Sequence, residues 1–167
     1  ASVLRVAGLE GAAKAFALAG LFARLDRPGL ILASNNKDAA DLYDDMSAFL
    51  GEENPLLQRK LVLLPSRDTL MYEDISPDSE LMRDRLLGLW RLARGEKLVV
   101  VTTPDGAFGQ TLPKARLLSA TIELKKGQSV TREALATQLI KAGYQRQELV
   151  EGAGEFSLRG EVIDIWP

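Results

Sequence analysis

With 167 residues, 46% hydrophobic and 26% charged, the chain has the composition of a globular protein and is long enough for one domain and part of a second. Its net charge of −2, from 21 basic and 23 acidic residues, argues against tight non-specific binding to nucleic acid. The sequence contains neither Cys nor His, which excludes thiol nucleophiles, imidazole bases and the usual zinc ligands. No apolar run reaches the ~20 residues of a membrane span and no signal peptide is recognisable, so we expect a cytoplasmic protein without membrane contact.

The first elements alternate between strand and helix. Val3–Val6 predicts a short strand, and the apolar spacing from Ala12 to Leu25 predicts a helix. Leu30–Ala33 predicts a buried strand, and Asn35 or Asn36 can cap the helix that follows. This order is typical of an α/β domain.

The alternation continues to about residue 110. Leu61–Leu64 predicts a strand that is buried on both faces. Ser76 and Pro77 offer a cap for a helix whose apolar residues are spaced from Met82 to Ala93, and Leu98–Val101 predicts another strand. The sequence therefore predicts a parallel sheet of four strands within a domain that spans residues 1–116.

A second, smaller α+β domain is expected to start at residue 117. Leu117–Leu124 alternates like a strand with one solvent-exposed face, and a helix is predicted to begin at Thr131 and to end at Gly143. Three short antiparallel strands are then predicted, separated by glycine turns: Gln147–Val150, Glu155–Leu158 and Glu161–Ile165. The start at Ala1 and the stop at Pro167 suggest a piece of a longer polypeptide, in which this second domain is incomplete.

The loop between the first predicted strand and helix, Gly8 to Ala15, matches half of a phosphate-binding loop. Such a loop needs a glycine before its lysine and a hydroxyl after it, to wrap phosphate and ligate Mg²⁺. Here Gly8, Gly11 and Lys14 are present, but Ala13 replaces the glycine and Ala15 the hydroxyl. Two interpretations stay open on these residues alone: an ordinary turn, or a degenerate Walker A loop that no longer supports ATP chemistry.

Several further stretches, in this order, make a more specific pattern. They are Arg27 to Ala33, Pro65 to Pro77, Lys125 to Gln128, and Gly154 to Pro167. Together with the altered loop, they resemble the UvrB-like N-terminal region of the bacterial transcription-repair coupling factors (Mfd), a family similar to UvrB, the damage-recognition subunit of the excision nuclease. The resemblance covers essentially the whole chain. It implies a P-loop-NTPase-like fold, similar to RecA and to UvrB domain 1a, followed by the start of the UvrA-binding domain 2.

UvrB itself is the nearest alternative. It has an intact P-loop and inserts an aromatic-rich β-hairpin, which grips damaged DNA, before the segment that matches Asp68 and Thr69. In this chain only Pro65, Ser66 and Arg67 separate the predicted strand from Asp68, so there is no room for that hairpin. The resemblance therefore favours a coupling factor.

The resemblance also implies a function. The family comprises ATP-dependent DNA translocases that remove stalled RNA polymerase and recruit UvrA. Its ATP and Mg²⁺ sites and its contacts with RNA polymerase and double-stranded DNA lie in other domains, so we expect this part to recruit UvrA and to be no enzyme. Arg159 is carried over as the UvrA contact, and Phe156 and Arg146 are weaker candidates that could also be a core residue and a surface charge.

The remaining residues suggest no catalytic, cofactor or metal site. The carboxylates Asp41, Asp44 and Asp45 fit the solvated face of a helix, and Glu73 and Asp74 carry no clearer signal. Trp90 and Phe108 are predicted to pack, since neither has the cationic companions of a base-stacking platform, and Lys125-Lys126 to form a turn. Two alternatives stay open: an ATP-binding helicase or UvrB-type damage-recognition domain, and a DNA-binding arm.

Overall fold

The computed structural model describes residues 3–25, 27–51, 55–66 and 79–167. Its helices are α1 (Ala12–Arg24), α2 (Asn36–Gly51), α3 (Pro55–Gln58), α4 (Ser79–Ala93), α5 (Pro104–Phe108), α6 (Lys114–Ala120) and α7 (Arg132–Lys141). Its strands are β1 (Gly29–Leu32), β2 (Leu61–Leu64), β3 (Val99–Thr102), β4 (Gln145–Arg146), β5 (Glu155–Arg159) and β6 (Val162–Trp166).

The first sheet is parallel, with strand order β1-β3-β2. Its central strand, β3, pairs Val100 with Leu30 on one side and with Val62 on the other. All four residues of β3 are buried, as expected for a run of valines covered on both faces of a parallel sheet. The prediction of an α/β domain with a parallel sheet is confirmed.

Two clusters of apolar side chains cover this sheet. In the first, alanines of α1 and Met46 and Leu50 of α2 pack with Leu61, Val99 and Val101. In the second, Leu89 of α4 packs with a set that includes Val62, Leu64, Leu98 and Val100. Neighbouring positions of β2 and β3 thus belong to different clusters, because successive side chains of a strand point to opposite faces.

The second sheet has strand order β4-β5-β6. β5 and β6 form an antiparallel hairpin, whereas β4 runs parallel to β5. Leu135 and Leu139, four residues apart on one face of α7, pack against Phe156 in the core of this part. The predicted helix and hairpin are confirmed.

Of the described residues, those before position 78 together with Asp84–Gln110 form one compact unit. The second unit comprises 79–83 together with Thr111–Pro167. The boundary expected from the sequence, between residues 116 and 117, stays a prediction.

Three predicted strands are wrong. Val3–Val6 is not a strand: Val3 and Leu4 are 94% and 87% exposed, and the described part of the first sheet has three strands rather than four. Residues 114–120 form α6, where the helix-forming run Lys-Ala-Arg-Leu-Leu prevails over the alternation, and 121–124 are in neither helix nor strand. The strand expected at Gln147–Val150 is instead β4, at Gln145–Arg146, and it is parallel to β5.

The cap expected at Ser76 and Pro77 lies outside the described residues. Within the part of the chain that the structure describes, no helix is both long enough and apolar enough to cross a membrane.

Candidate partner-binding site

The β5–β6 hairpin has two faces of different character. Cross-strand pairs alternate between them: Phe156 with Ile165 and Leu158 with Ile163 lie on one face, and Glu155 with Trp166, Ser157 with Asp164 and Arg159 with Val162 lie on the other. The first set packs with the leucines of α7. We call the second set the outer face of the hairpin.

Phe156 belongs to the inner face. Its side chain is fully buried, at 0% exposure, and packs with Leu135 and Leu139. A ring in this position cannot contact a partner while the domain is folded. The structure therefore assigns Phe156 to the core and not to a binding surface.

Arg159 lies at the end of β5, beside the turn at Gly160. Its side chain is 54% exposed, and its Nε lies 3.8 Å from the Asp164 carboxylate on the facing strand. Such an exposed pair contributes little to stability, ~0–1 kcal/mol. The guanidinium is therefore accessible to a partner.

The turn that follows Arg159 is fixed from outside the hairpin. Gly160 has a φ of +56°, which favours glycine. Arg132, at the start of α7, donates a hydrogen bond from Nη1 to the carbonyl oxygen of Gly160. Sequence reasoning missed Arg132, because the contact joins residues 28 positions apart and no local pattern marks it.

Arg146 is exposed and lies on β4. The strand is aligned by two backbone bonds, from Gln145 N to Gly154 O and from Gln147 N to Phe156 O, each 2.8 Å long. Arg146 therefore lies beside β5 as a surface cation. Its role as a contact stays a prediction, like that of Arg159.

The connection between β4 and β5 is fastened to the hairpin by polar contacts. The Ser157 hydroxyl donates to the Glu148 carbonyl oxygen at 2.9 Å. The Glu155 carboxylate accepts from the backbone N–H groups of Glu151 and Gly152 at 2.8 and 3.0 Å. These bonds involve Glu155 and Ser157, both on β5, whereas Arg159 and the β6 positions of the outer face stay exposed.

The loop that resembles a phosphate-binding loop leads into α1. Gly8 and Gly11 have φ values of +81° and +52°, so both need glycine for their backbone conformation. The backbone N–H groups of Ala13 and Lys14 donate within the loop, each at 3.2 Å, to Glu10 and Gly11. Ala15 is fully buried in the core beneath α1, so a hydroxyl at this position would face apolar side chains.

The carboxyl ends of parallel strands are where such sheets commonly bind ligands. Here Asn36, after β1, accepts hydrogen bonds from the backbone N–H and the hydroxyl of Ser66, after β2, at 3.0 and 2.9 Å. The buried Arg85 donates to the carbonyl oxygens of Pro65 and Gly106 at 2.7 and 3.2 Å. Intramolecular hydrogen bonds therefore occupy polar groups along this edge.

The other residues discussed above have ordinary structural roles, with one exception. Asp41, Asp44 and Asp45 are exposed on α2, as predicted. Asp41 accepts a 2.7 Å hydrogen bond from Lys37, which raises the pKa of that lysine. Lys125-Lys126 leads into a turn, also as predicted, where Gly127 has a φ of +84°.

The exception concerns Trp90 and Phe108, for which the predicted packing without a cationic neighbour is not what the structure shows. Trp90 is half-buried and has a cationic companion, since the Arg94 guanidinium lies 4.8 Å from its ring centroid. Phe108 does not pack, because 83% of its surface is exposed. Glu73 and Asp74 lie outside the described residues. Among the residues that are described, no group of three or more acidic side chains could hold a metal ion.

Comparison with known proteins shows which family model the second unit matches and which proteins the whole chain is similar to. Residues 122–167, which include the hairpin and α7, match the family model of the UvrB interaction domain. Over 98% of its own residues, the chain is 34% identical to the transcription-repair-coupling factor of Myxococcus xanthus. Over 95% of its own residues, it is 30% identical to the transcription-repair-coupling factor of Escherichia coli. It is also 31% identical to the UvrABC system protein B of Treponema denticola over 96% of its length.

The second unit thus contains the segment that matches the UvrB interaction domain. The whole chain is a homologue of the transcription-repair coupling factors and of UvrB, which confirms the resemblance found in the sequence. It spans 14% and 13% of the two coupling factors and 25% of the UvrABC system protein B.

Proposed function

We propose that this chain is the UvrA-recruiting module of a transcription-repair coupling factor. The observation that supports this most strongly is the match of residues 122–167 to the UvrB interaction domain, because this segment contains the accessible Arg159. The domain would present a surface similar to the one by which UvrB binds UvrA. Arginine is enriched among the residues that dominate protein interfaces, and Arg159 is the charged anchor in this proposal.

Two features favour a coupling factor over UvrB. In the sequence, the short connection from Pro65 to Asp68 leaves no room for a DNA-gripping hairpin, and the phosphate-binding loop has lost its second glycine and its hydroxyl. The burial of Ala15 in the core supports the loss of the phosphate-binding function, because a side chain that ligates Mg²⁺ from this position would have to face outward. We interpret the loop as a degenerate Walker A loop with a structural role, within a P-loop-NTPase-like domain.

The rest of the proposed parent protein would supply the motor. Its ATP and Mg²⁺ sites, its DNA translocase activity and its contacts with RNA polymerase and double-stranded DNA would belong to other domains. With these functions in other domains, the present chain links a stalled polymerase to UvrA, and this role needs no catalytic residue.

Replacement of Arg159 by alanine tests the proposed contact. Arg159→Ala should weaken binding of purified UvrA about tenfold, since an interface anchor contributes more than ~1 kcal/mol. Affinity is measured by pull-down with a UvrA titration. The melting temperature should not change, because the Arg159–Asp164 pair is exposed.

The matched control is Arg116→Ala, which removes an exposed arginine of α6. This variant should bind UvrA like the unchanged chain. Equal capture of UvrA by the Arg159→Ala variant and the unchanged chain would contradict the assignment of Arg159.

The second candidate function, an ATP-binding UvrB-type domain, is favoured by the 31% identity to a UvrABC system protein B. Isothermal titration calorimetry with ATP and Mg²⁺ separates the two candidates. We expect no binding heat at micromolar nucleotide, because the loop lacks its glycine and hydroxyl and its Ala13 and Lys14 N–H groups donate within the loop. A micromolar dissociation constant would support the second candidate instead.

A further inference from the structure

The turn between β5 and β6 consists of Gly160 and Glu161, because Arg159 pairs with Val162 across the hairpin. Gly160 has a φ of +56°, whereas no non-glycine residue in the described part of the chain has a positive φ. A two-residue loop with a positive φ at its first position alone is the pattern of a type II′ turn. The hydrogen bond that closes such a turn joins the residues on either side of the loop, so the carbonyl oxygen of Gly160 is left for a donor outside the hairpin.

That donor is Arg132, the first residue of α7, which reaches the Gly160 oxygen through Nη1. A cation at the start of a helix lies at the positive end of the helix dipole, where it is unfavourable. The Nε of Arg132 also lies 3.4 Å from the Glu133 carboxylate, but such an exposed pair contributes little. The bond to the hairpin, and not the stability of α7, therefore gives this arginine its structural role.

The core of the second unit fixes where Arg132 stands. Leu135 and Leu139 of α7 pack with Phe156 of β5. Arg132 precedes Leu135 by three residues, so it lies on the same side of the helix, nearer its N-terminus. Gly160 follows Phe156 by four residues, ~13 Å along the hairpin. α7 is therefore attached to β5 at two places, by apolar packing at Phe156 and by Arg132 at the turn.

The orientation of Arg159 depends on this turn. Arg159 is the last residue before Gly160, and its Nε lies 3.8 Å from the carboxylate of Asp164. Asp164 pairs with Ser157 and not with Arg159, so the contact is a diagonal one across the hairpin. A diagonal contact forms only while the two strands keep their register, and the turn sets that register.

We propose that Arg132 is a positioning residue of the UvrA contact: by holding the Gly160 carbonyl, it fixes the turn and keeps Arg159 in the orientation that binds the partner. This inference rests on the proposed function. In it, Arg132 acts through Arg159 and does not itself touch UvrA. A contact residue that is ordered before binding loses less conformational entropy in the complex, so a fixed turn increases the affinity.

The affinity of the chain for purified UvrA, measured by biolayer interferometry, tests this inference. Arg132→Met removes the N–H donors but keeps an unbranched side chain that favours a helix, and it should weaken binding about fivefold, which corresponds to the ~1 kcal/mol of a typical hydrogen bond. Arg132→Lys keeps a donor and should stay within about twofold of the unchanged chain. The matched control is Lys141→Met, the same loss of a cation at the other, exposed end of α7, which should leave the affinity unchanged.

A double-mutant cycle separates positioning from direct contact. If Arg132 acts through Arg159, Arg132→Met should weaken binding by less than about twofold when Arg159 is already replaced by alanine. A further loss of about fivefold in that background would show that Arg132 contributes independently of Arg159, and it would overturn the positioning role.

Heteronuclear NMR of the free chain shows whether the turn itself responds. Arg132→Met should shift the amide signals of residues 159–162 and leave those of Leu139 and Phe156 in place, because the core packing does not involve the guanidinium. Unchanged signals of the turn would contradict the inference.

A second variant keeps the test independent of the methionine side chain. Arg132→Ala removes the same donors with the residue that favours a helix most, and it should weaken binding to the same extent. Full affinity of either variant would overturn the role of Arg132, even if the other variant did not fold.

The outcomes also separate this inference from the proposed function. Full affinity of Arg132→Met, together with weak binding of Arg159→Ala, would overturn the role of Arg132 and leave UvrA recruitment intact. Absence of UvrA binding by the unchanged chain would overturn the proposed function itself, and this inference with it.

Discussion

Residues close together on β5 lie on opposite faces of the second sheet, and this decides which of them can meet a partner. Phe156 and Arg159 are three positions apart, so one faces the core and the other faces outward. The family resemblance suggested Arg159 as a contact and Phe156 as a weaker candidate that could also be a core residue, and alternation alone does not say which face of a strand is covered. The leucines of α7 settle the question by packing against Phe156.

Phe156→Ala should therefore act on stability. Removal of a fully buried ring leaves a cavity, and we expect the free energy of unfolding of the second unit to fall by ~3–5 kcal/mol. Urea denaturation followed by circular dichroism measures the change. Arg159→Ala should shift the same curve by less than ~0.5 kcal/mol. Equal stability of the Phe156→Ala variant and the unchanged chain would show that the inner face is not the core.

At the scale of elements, the sequence predicts the elements whose patterns are long or strongly apolar. α1, α2 and α7 follow from helical spacing, and β2 and β3 from compact apolar runs. The short helix α5 was missed although Thr103 and Pro104 mark its start, and the Thr103 hydroxyl accepts from Gly106 N at 3.0 Å. This signal was present in the sequence and could have been used.

Other elements depend on partners distant in the chain. β4 is two residues long and exists as a strand because β5 lies beside it, which composition cannot indicate. Val3–Val6 has strand-forming residues but no strand pairing, and its side chains are exposed. The site shows the same limit: Arg159 could be carried over from a motif, but its anchoring through Arg132 could not be predicted.

Hydrogen exchange followed by mass spectrometry should separate these elements. β3 is the central strand of the first sheet and is bonded on both sides, so its amides should exchange slowest in that unit. Residues 3–8 should exchange within seconds, because they belong to no helix or strand. Protection of residues 3–6 comparable to that of β3 would instead indicate that the predicted fourth strand forms.

At the scale of the whole molecule, we propose a different role for each of the two sheets. The parallel sheet has a hydrogen-bonded carboxyl edge and leads us to propose a structural scaffold without nucleotide chemistry. The hairpin sheet has an outer face with an accessible arginine, within the segment that matches the UvrB interaction domain. The proposed function therefore depends on the second unit.

Competition for UvrA tests this account most directly. If the chain presents a UvrB-like docking surface, it should displace UvrB from UvrA in a fluorescence-anisotropy titration with labelled UvrB. We expect complete, concentration-dependent displacement by the unchanged chain and at least tenfold weaker displacement by the Arg159→Ala variant. If UvrA that is saturated with the chain still binds UvrB, the two proteins do not share a docking surface and the proposed UvrB-like surface is contradicted. Absence of any binding of the chain to UvrA would contradict it as well.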